Sequence, residues 1–238
     1  MNKPLLLLED IPGYCEGEIR LHIPLEFRRG VLREDERKSI ESASIGLKRI
    51  ANLTGRTDWS NLNILDYGCG VKFSQALIQY NIDVQAYVGI DVYKKMIQCL
   101  NDRVSQPNFH YFNVPFKNEM YNKTGVELTA KVELPGNIKA YDLIILQSVF
   151  THFNPTDFLA LLHVLRRYAA SGACMFFTCF IDNDMEHDFL DSVPEKPLLK
   201  AYYKEHYIRE MLKESNWKVI SLNPPSFQMM HQFVCEPH

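Results

Sequence analysis

Four residues have types and spacing suited to holding a ligand: Asp66, Gly68, Gly70 and Asp91. The first three lie in NILDYGCGVKFSQAL, Asn63–Leu77, and the fourth ends AYVGID, Ala86–Asp91. Glycines on either side of Cys69 let a ligand approach the backbone, because a Cβ would block it or forbid the turn's φ. A carboxylate ending the next apolar run is placed to accept both hydroxyls of a ribose, so the two features point to an adenosine-bearing ligand. Asp91 has a second use open to it, capping the helical segment that starts at Tyr93. The dinucleotide fingerprint needs a small residue after its paired glycines, yet Gly68-Cys69-Gly70-Val71-Lys72-Phe73 puts phenylalanine there. That bulk argues against the tight pyrophosphate turn of an NAD enzyme.

These residues need strands and helices to bring them together, and the hydrophobic pattern supplies both. Ile40, Ala43, Leu47, Ile50 and Ala51 keep one face of a helix over Glu36–Thr54, with Gly55 as its stop. Strands are predicted over Leu62–Asp66, Ala86–Asp91, Phe109–Asn113, Tyr141–Leu146 and Ala173–Phe180. Helical stripes separate them: Phe73, Ala76, Leu77 and Tyr80; then Tyr93, Met96, Ile97 and Leu100; then Phe158, Leu161, Leu162 and Leu165, ending near Gly172. YDLIIL and ACMFFTCF are continuously apolar, as strands covered on both faces are. A helix near Lys204–Ser215 precedes strands at Trp217–Leu222 and Met229–Cys235. The loop between these last two, with Pro224 and Pro225, is too short for a crossover helix, so they pair antiparallel. The chain is therefore α/β, a mainly parallel sheet with helices on both faces and its ligand crevice beyond the C-terminal strand ends.

Two stretches break the alternation. Residues 1–35 have no clear period and form an N-terminal arm or lid on a domain over 36–238. An insertion at about 114–140 is too long for a plain connector, and Val126, Leu128, Ala130, Val132 and Leu134 alternate with polar residues in it. The alternation predicts an extra exposed strand.

Composition narrows the partners. In 238 residues, 26 Lys and Arg against 29 Asp and Glu give a net charge of −3 with no basic run, which disfavours nucleic acid. Leu5–Leu8 is too short for a signal-peptide core, and no segment reaches membrane-spanning length, so the expectation is a cytoplasmic protein with no membrane partner. The six cysteines include no CxxC pair, and no His cluster has metal-ligand spacing. They read as reduced thiols, and no metal is expected.

LDYGCG at Leu65–Gly70, VGID at Val88–Asp91, YDLIILQSVFTHF at Tyr141–Phe153 and the antiparallel last pair of strands resemble the class I S-adenosylmethionine-dependent methyltransferases. SVFTHF followed by NPTDFLALLHVLRR is similar to bacterial small-molecule members, and the resemblance spans about Asn63 to Glu236. It implies a Rossmann-like, doubly wound, seven-stranded sheet with the last strand antiparallel, S-adenosyl-L-methionine as cofactor and a small-molecule acceptor. Asp66, Gly68, Cys69 and Gly70 would line the methionine end of the cofactor. Asp91 would hold the ribose, Val92 would flank the adenine, Asn113 and Val114 would meet the adenine edge, and Gln147 would sit beside the amino-acid portion. Lys72 stands where many relatives have a third glycine.

Within that resemblance, His152 is the candidate base for a hydroxyl acceptor, with bracing of the helix near Thr156 as its alternative. Tyr14, Arg20, His22 and Arg28, with Arg29, lie in an arm that in related enzymes folds over the active site. Adjacent arginines suit an anionic group, or form a solvated surface pair. His187, Tyr202, Tyr203, His206 and His231 either line the acceptor pocket or serve packing. Oxygen is favoured as acceptor because no Asn/Asp-Pro-Pro-Tyr/Phe signature follows the fourth strand; Asn223-Pro224-Pro225-Ser226 comes too late in the chain and reads as a turn. N- or C-methylation, an NAD-dependent dehydrogenase and a non-catalytic partner protein of the same fold are the alternatives.

Overall fold

The computed structural model describes residues 11–12, 14–118, 122–193, 195–225 and 229–238. Five strands run parallel in the order β3 (Phe109–Asn113), β2 (Ala86–Asp91), β1 (Asn63–Tyr67), β4 (Tyr141–Leu146) and β5 (Ala169–Ile181). β9 (His231–Pro237) lies antiparallel beside β5, and β8 (Trp217–Asn223) lies antiparallel beside β9. The strand order reverses between β1 and β4, which opens a crevice at their C-terminal ends.

Alternation of side chains across the pleat builds two cores. Ile64, Leu143, Ile145 and Phe176 join the layer of α1 (Glu36–Thr54), α2 (Lys72–Tyr80) and α3 (Lys94–Arg103). Leu65, Ile144, Leu146 and Phe177 join that of α4 (Pro155–Tyr168) and α5 (Glu205–Glu214). Capping sets two of the helix starts. Asp35 accepts from the Lys38 N–H at 3.1 Å to begin α1, and Asn154 accepts from the Asp157 N–H at 2.9 Å with Pro155 behind it to begin α4. Each such cap contributes about 1 kcal/mol. Gly55, at φ 68°, closes α1 as its sequence position predicts.

The arm is stapled to the first helical layer by glutamines that the pattern alone would put on a surface. Gln75 donates to the Leu21 carbonyl and to Glu36, each at 2.9 Å. Gln79 accepts from the Arg20 N–H at 2.9 Å and donates to the Glu18 carbonyl at 3.1 Å. Ile11, Leu21, Ile23 and Phe27 are buried, so the arm is part of the core layer.

Three expectations require correction. The predicted helix stop at Gly172 is a bulge inside β5: α4 ends at Tyr168, and the register slips between Tyr141↔Ala169 and Leu143↔Cys174, with Gly172 at φ 76°. The exposed strand predicted over Val126–Leu134 does not form. Leu128 and Leu134 drop into the core and the Leu134 N–H donates to the Tyr168 hydroxyl at 2.9 Å, while among the described residues the backbone forms the isolated bridge Phe116↔Val126 and a turn in which the Val132 N–H donates to the Thr129 carbonyl. Sheet size is the third: beyond the seven expected strands, β6 (Phe189–Asp191) and β7 (Ala201–Tyr203) form a hairpin that extends the end of β5. Strands of three residues are too short to show a period. Leu5–Leu8 lies outside the described residues, among which no helix is long and apolar enough to cross a membrane.

Candidate active site

β1 delivers Asp66 and Tyr67 to the crevice, and the chain then turns on two left-handed glycines, Gly68 at φ 70° and Gly70 at φ 51°. The Gly68 and Cys69 N–H groups both donate to the Ile90 carbonyl, at 2.7 and 3.1 Å, which ties the turn to β2. A Cβ on Gly68 would stand 2.6 Å from the Val149 side chain, whereas one on Gly70 would meet nothing within 4 Å. Gly68 is thus required by packing, and Gly70 faces open space.

Asp91 braces the same turn. One carboxylate oxygen accepts from the Gly70 N–H at 3.2 Å and the other from the Tyr93 N–H at 2.9 Å. Burial pushes this carboxyl above its usual range, against the pull of those backbone donors. A carboxylate has about four acceptor positions, more than its backbone donors Gly70, Tyr93 and Val92 fill, so acceptor capacity remains for a ligand. The ribose and turn-capping roles are therefore compatible. Asp66 is fully buried and accepts from the Tyr87 hydroxyl; burial, reinforced by Asp91, pushes it up to about 7.

The crevice is a cavity of about 1150 Å³. Single-ligand pockets run to roughly 1000 Å³, so there is room for a cofactor and an acceptor together. Asp66, Gly68, Cys69, Gly70, Asp91, Val92, Gln147 and His152 all line it. Asn113 and Val114 do not: the Asn113 amide and the Val114 N–H both donate to the Asp91 carbonyl, at 3.0 and 3.1 Å, steadying the end of β2.

The arm residues expected at the substrate are placed elsewhere. Tyr14 is exposed, Arg20 reaches the Ile78 carbonyl at 3.4 Å, and His22 pairs with Glu36 at 3.0 Å. Arg28 does not line the cavity either; its neighbours Phe27, Arg29, Gly30 and Leu32 do. Phe27 meets the Tyr93 ring edge-on at 5.7 Å and the Arg29 guanidinium lies over that ring at 5.6 Å, so this part of the arm packs on Tyr93 and brings the Arg29 charge to bear on Asp91.

His152 ends a 3-10 turn, Phe150–His152. Its Nδ1–H donates to the Leu198 carbonyl at 3.0 Å, the Leu199 backbone also lies against the imidazole, and the residue lines the cavity. Burial pushes its pKa below the ordinary histidine value. Leu198, at φ 57°, is itself held by Asp191 through a 2.8 Å bond to its N–H. The β6–β7 hairpin therefore orients the imidazole.

Other cavity walls were invisible to periodicity. α1 supplies Ile45, Gly46 and Arg49, β5 supplies Phe176 and Thr178, and α2 supplies Lys72. Arg49 donates through Nε to Gln232 of β9. His187, Tyr202, Tyr203, His206 and His231 lie outside the cavity: Tyr202 stacks on Phe180, Tyr203 donates to the Phe153 carbonyl, and His206 pairs with Asp188 at 3.2 Å. Among the described residues no group of His, Cys, Asp and Glu could hold a metal ion.

A family model described as a methyltransferase domain matches residues 33–222. Among solved structures, the chain is similar to the magnesium protoporphyrin IX methyltransferase of Synechocystis PCC 6803 with bound S-adenosylmethionine. The TM-score is 0.53 at 16% identity, covering 89% of this chain and 86% of that one. An S-adenosylmethionine-dependent methyltransferase from Leishmania major matches with a TM-score of 0.58 at 15% identity, over 89% of this chain and 81% of that one. A [4+2]-cyclase matches with a TM-score of 0.50 at 14% identity, over 76% and 60%. Likeness at these identities speaks to the fold.

Proposed function

The chain belongs to the methyltransferase-domain family, with S-adenosylmethionine as methyl donor, and from that premise we propose that it methylates a hydroxyl of a small-molecule acceptor. The observation that supports the acceptor atom is the histidine tautomer: His152 is at the cavity wall with its Nδ1–H committed to the Leu198 carbonyl, and in that tautomer Nε2 is the basic nitrogen. The site fits the donor on its own geometry. Gly70 leaves open the space a Cβ would fill, Asp91 retains acceptor positions for ribose hydroxyls, and Asp66 offers a buried carboxylate to an ammonium group.

Bound there, the donor supplies a methyl group on a sulfonium for in-line displacement. The protein's own residues then have three tasks. Asp91 and Val92 would hold the nucleoside and the glycine turn the methionine end, with Asn113 and Val114 supporting Asp91 from behind. Gln147 borders the amino-acid portion. Phe27, Arg29 and the segment carrying Phe116 and Leu128 border the cavity and limit water entry, while His152 Nε2 takes the hydroxyl proton as the acceptor oxygen attacks. A cytoplasmic setting and the absence of a nucleic-acid partner belong to the same reading, supported by a net charge of −3 without a basic run.

His152→Gln tests it. S-adenosylhomocysteine should bind the variant as tightly as the unaltered protein, while turnover on a hydroxyl acceptor falls by roughly 10²- to 10⁴-fold, the usual worth of a general base. Because burial lowers the His152 pKa, the acid limb of kcat/KM should lie below pH 6.5 and vanish in the variant. A nitrogen or carbon acceptor that His152→Gln methylates at full rate would replace the hydroxyl reading.

A further inference from the structure

Lys72 is the residue that the glycine turn does not explain. It opens α2, and a cation at a helix N-terminus is opposed by the helix dipole. Its side chain is partly buried, lines the cavity, and reaches toward the arm: a Cβ on Gly30 would stand 3.1 Å from its Nζ. Gly30 adopts φ 84° there, so the arm closes over the ammonium without a side chain of its own. Among the described residues no carboxylate pairs with Lys72, and burial alone pushes its amine below the ordinary range. An ammonium partly withdrawn from water with no carboxylate partner is costly to keep, and that cost is relieved when an anion arrives.

Asp66 presents the complementary case. It is a buried acid on the same turn whose partner among the described residues is a tyrosine hydroxyl, influenced by Asp91 and not by Lys72. The turn thus carries one acid and one cation, neither neutralised by the other. An α-amino acid end, with its ammonium and its carboxylate, matches such a pair.

We infer that Lys72 is the counter-charge for the carboxylate at the amino-acid end of the methyl donor, with Asp66 receiving the ammonium. This rests on the reading that the glycine turn holds that end of the donor. Lys72 is a binding and specificity residue in this account, and the arm at Gly30 shields the ion pair from water.

The test compares two ligands that differ in the amino-acid end, carboxylate and ammonium together. S-adenosylhomocysteine has it; 5′-methylthioadenosine keeps the nucleoside and thioether but lacks the amino acid. In Lys72→Met, calorimetric Kd for S-adenosylhomocysteine should weaken on the order of 10- to 100-fold, the usual worth of a charged hydrogen bond. Kd for 5′-methylthioadenosine should stay unchanged, and Lys72→Arg should restore most of the loss. Equal weakening of both ligands would overturn the inference and make Lys72 a packing residue. An unchanged Kd for S-adenosylhomocysteine with a raised acceptor KM would overturn it in favour of an anionic acceptor. Failure of the unaltered protein to bind S-adenosylhomocysteine would instead remove the underlying reading, and the inference with it.

Discussion

At the scale of single residues, the site is governed by what burial does to charge. Asp66 is held near pKa 7, so the folded chain keeps its proton to a higher pH than the unfolded chain, whose carboxyl titrates near 3.8. Folding therefore takes up a proton between those values, and this residue's contribution to stability falls as pH rises from about 4 to about 7 and stays unfavourable above that. Asp66→Asn, which can still accept from the Tyr87 hydroxyl, should raise the thermal midpoint of the ligand-free protein by several degrees at pH 8 and by clearly less at pH 5. The same variant should lose affinity for S-adenosylhomocysteine. A midpoint lowered at pH 8 would mean that the ionised carboxylate is better satisfied than its surroundings suggest.

At the scale of elements, the glycine turn and its neighbours can be separated by two small substitutions. Gly68→Ala adds a Cβ at 2.6 Å from Val149 as well as a strained left-handed φ, while Gly70→Ala meets only the strain. Urea unfolding should show Gly70→Ala costing about 1 kcal/mol and Gly68→Ala clearly more, on the order of 2–4 kcal/mol. Affinity for the cofactor product should fall in Gly70→Ala well beyond what its stability loss explains. Equal stability costs would place Val149 farther from the turn than the fold indicates.

The same scale shows how far the sequence could be read. Phe109–Asn113 and Ala86–Asp91 were legible to the residue because short apolar runs there are bounded by polar or turn residues. Val126–Leu134 misled, since alternation reports which side chains are buried and not whether a neighbouring strand exists to pair with. Gly172 misled because a positive-φ glycine serves a bulge as readily as a helix stop. Leu198 and the hairpin behind it gave no signal at all, although they orient His152. Which residues of the N-terminal arm face the cavity depends on how Gln75 and Gln79 pin it, a long-range matter outside any local pattern.

At the scale of the whole molecule, the sheet order places Asp66, Asp91 and Gln147 at the ends of adjacent strands, so one crevice collects residues far apart in the chain. The arm, the segment around Phe116 and Leu128, and the β6–β7 hairpin then enclose it from different sides. A cavity of about 1150 Å³ between them suits two small molecules in contact, which is what direct transfer requires. The central claim is tested most directly by following labelled methyl groups from S-adenosylmethionine into a panel of hydroxyl, amine and carbon acceptors, with the unaltered protein and His152→Gln side by side. The account predicts a methyl ether or ester formed in equal amount to S-adenosylhomocysteine, and loss of that product in the variant. Labelled product on nitrogen or carbon alone, or undiminished oxygen methylation by His152→Gln, would contradict it.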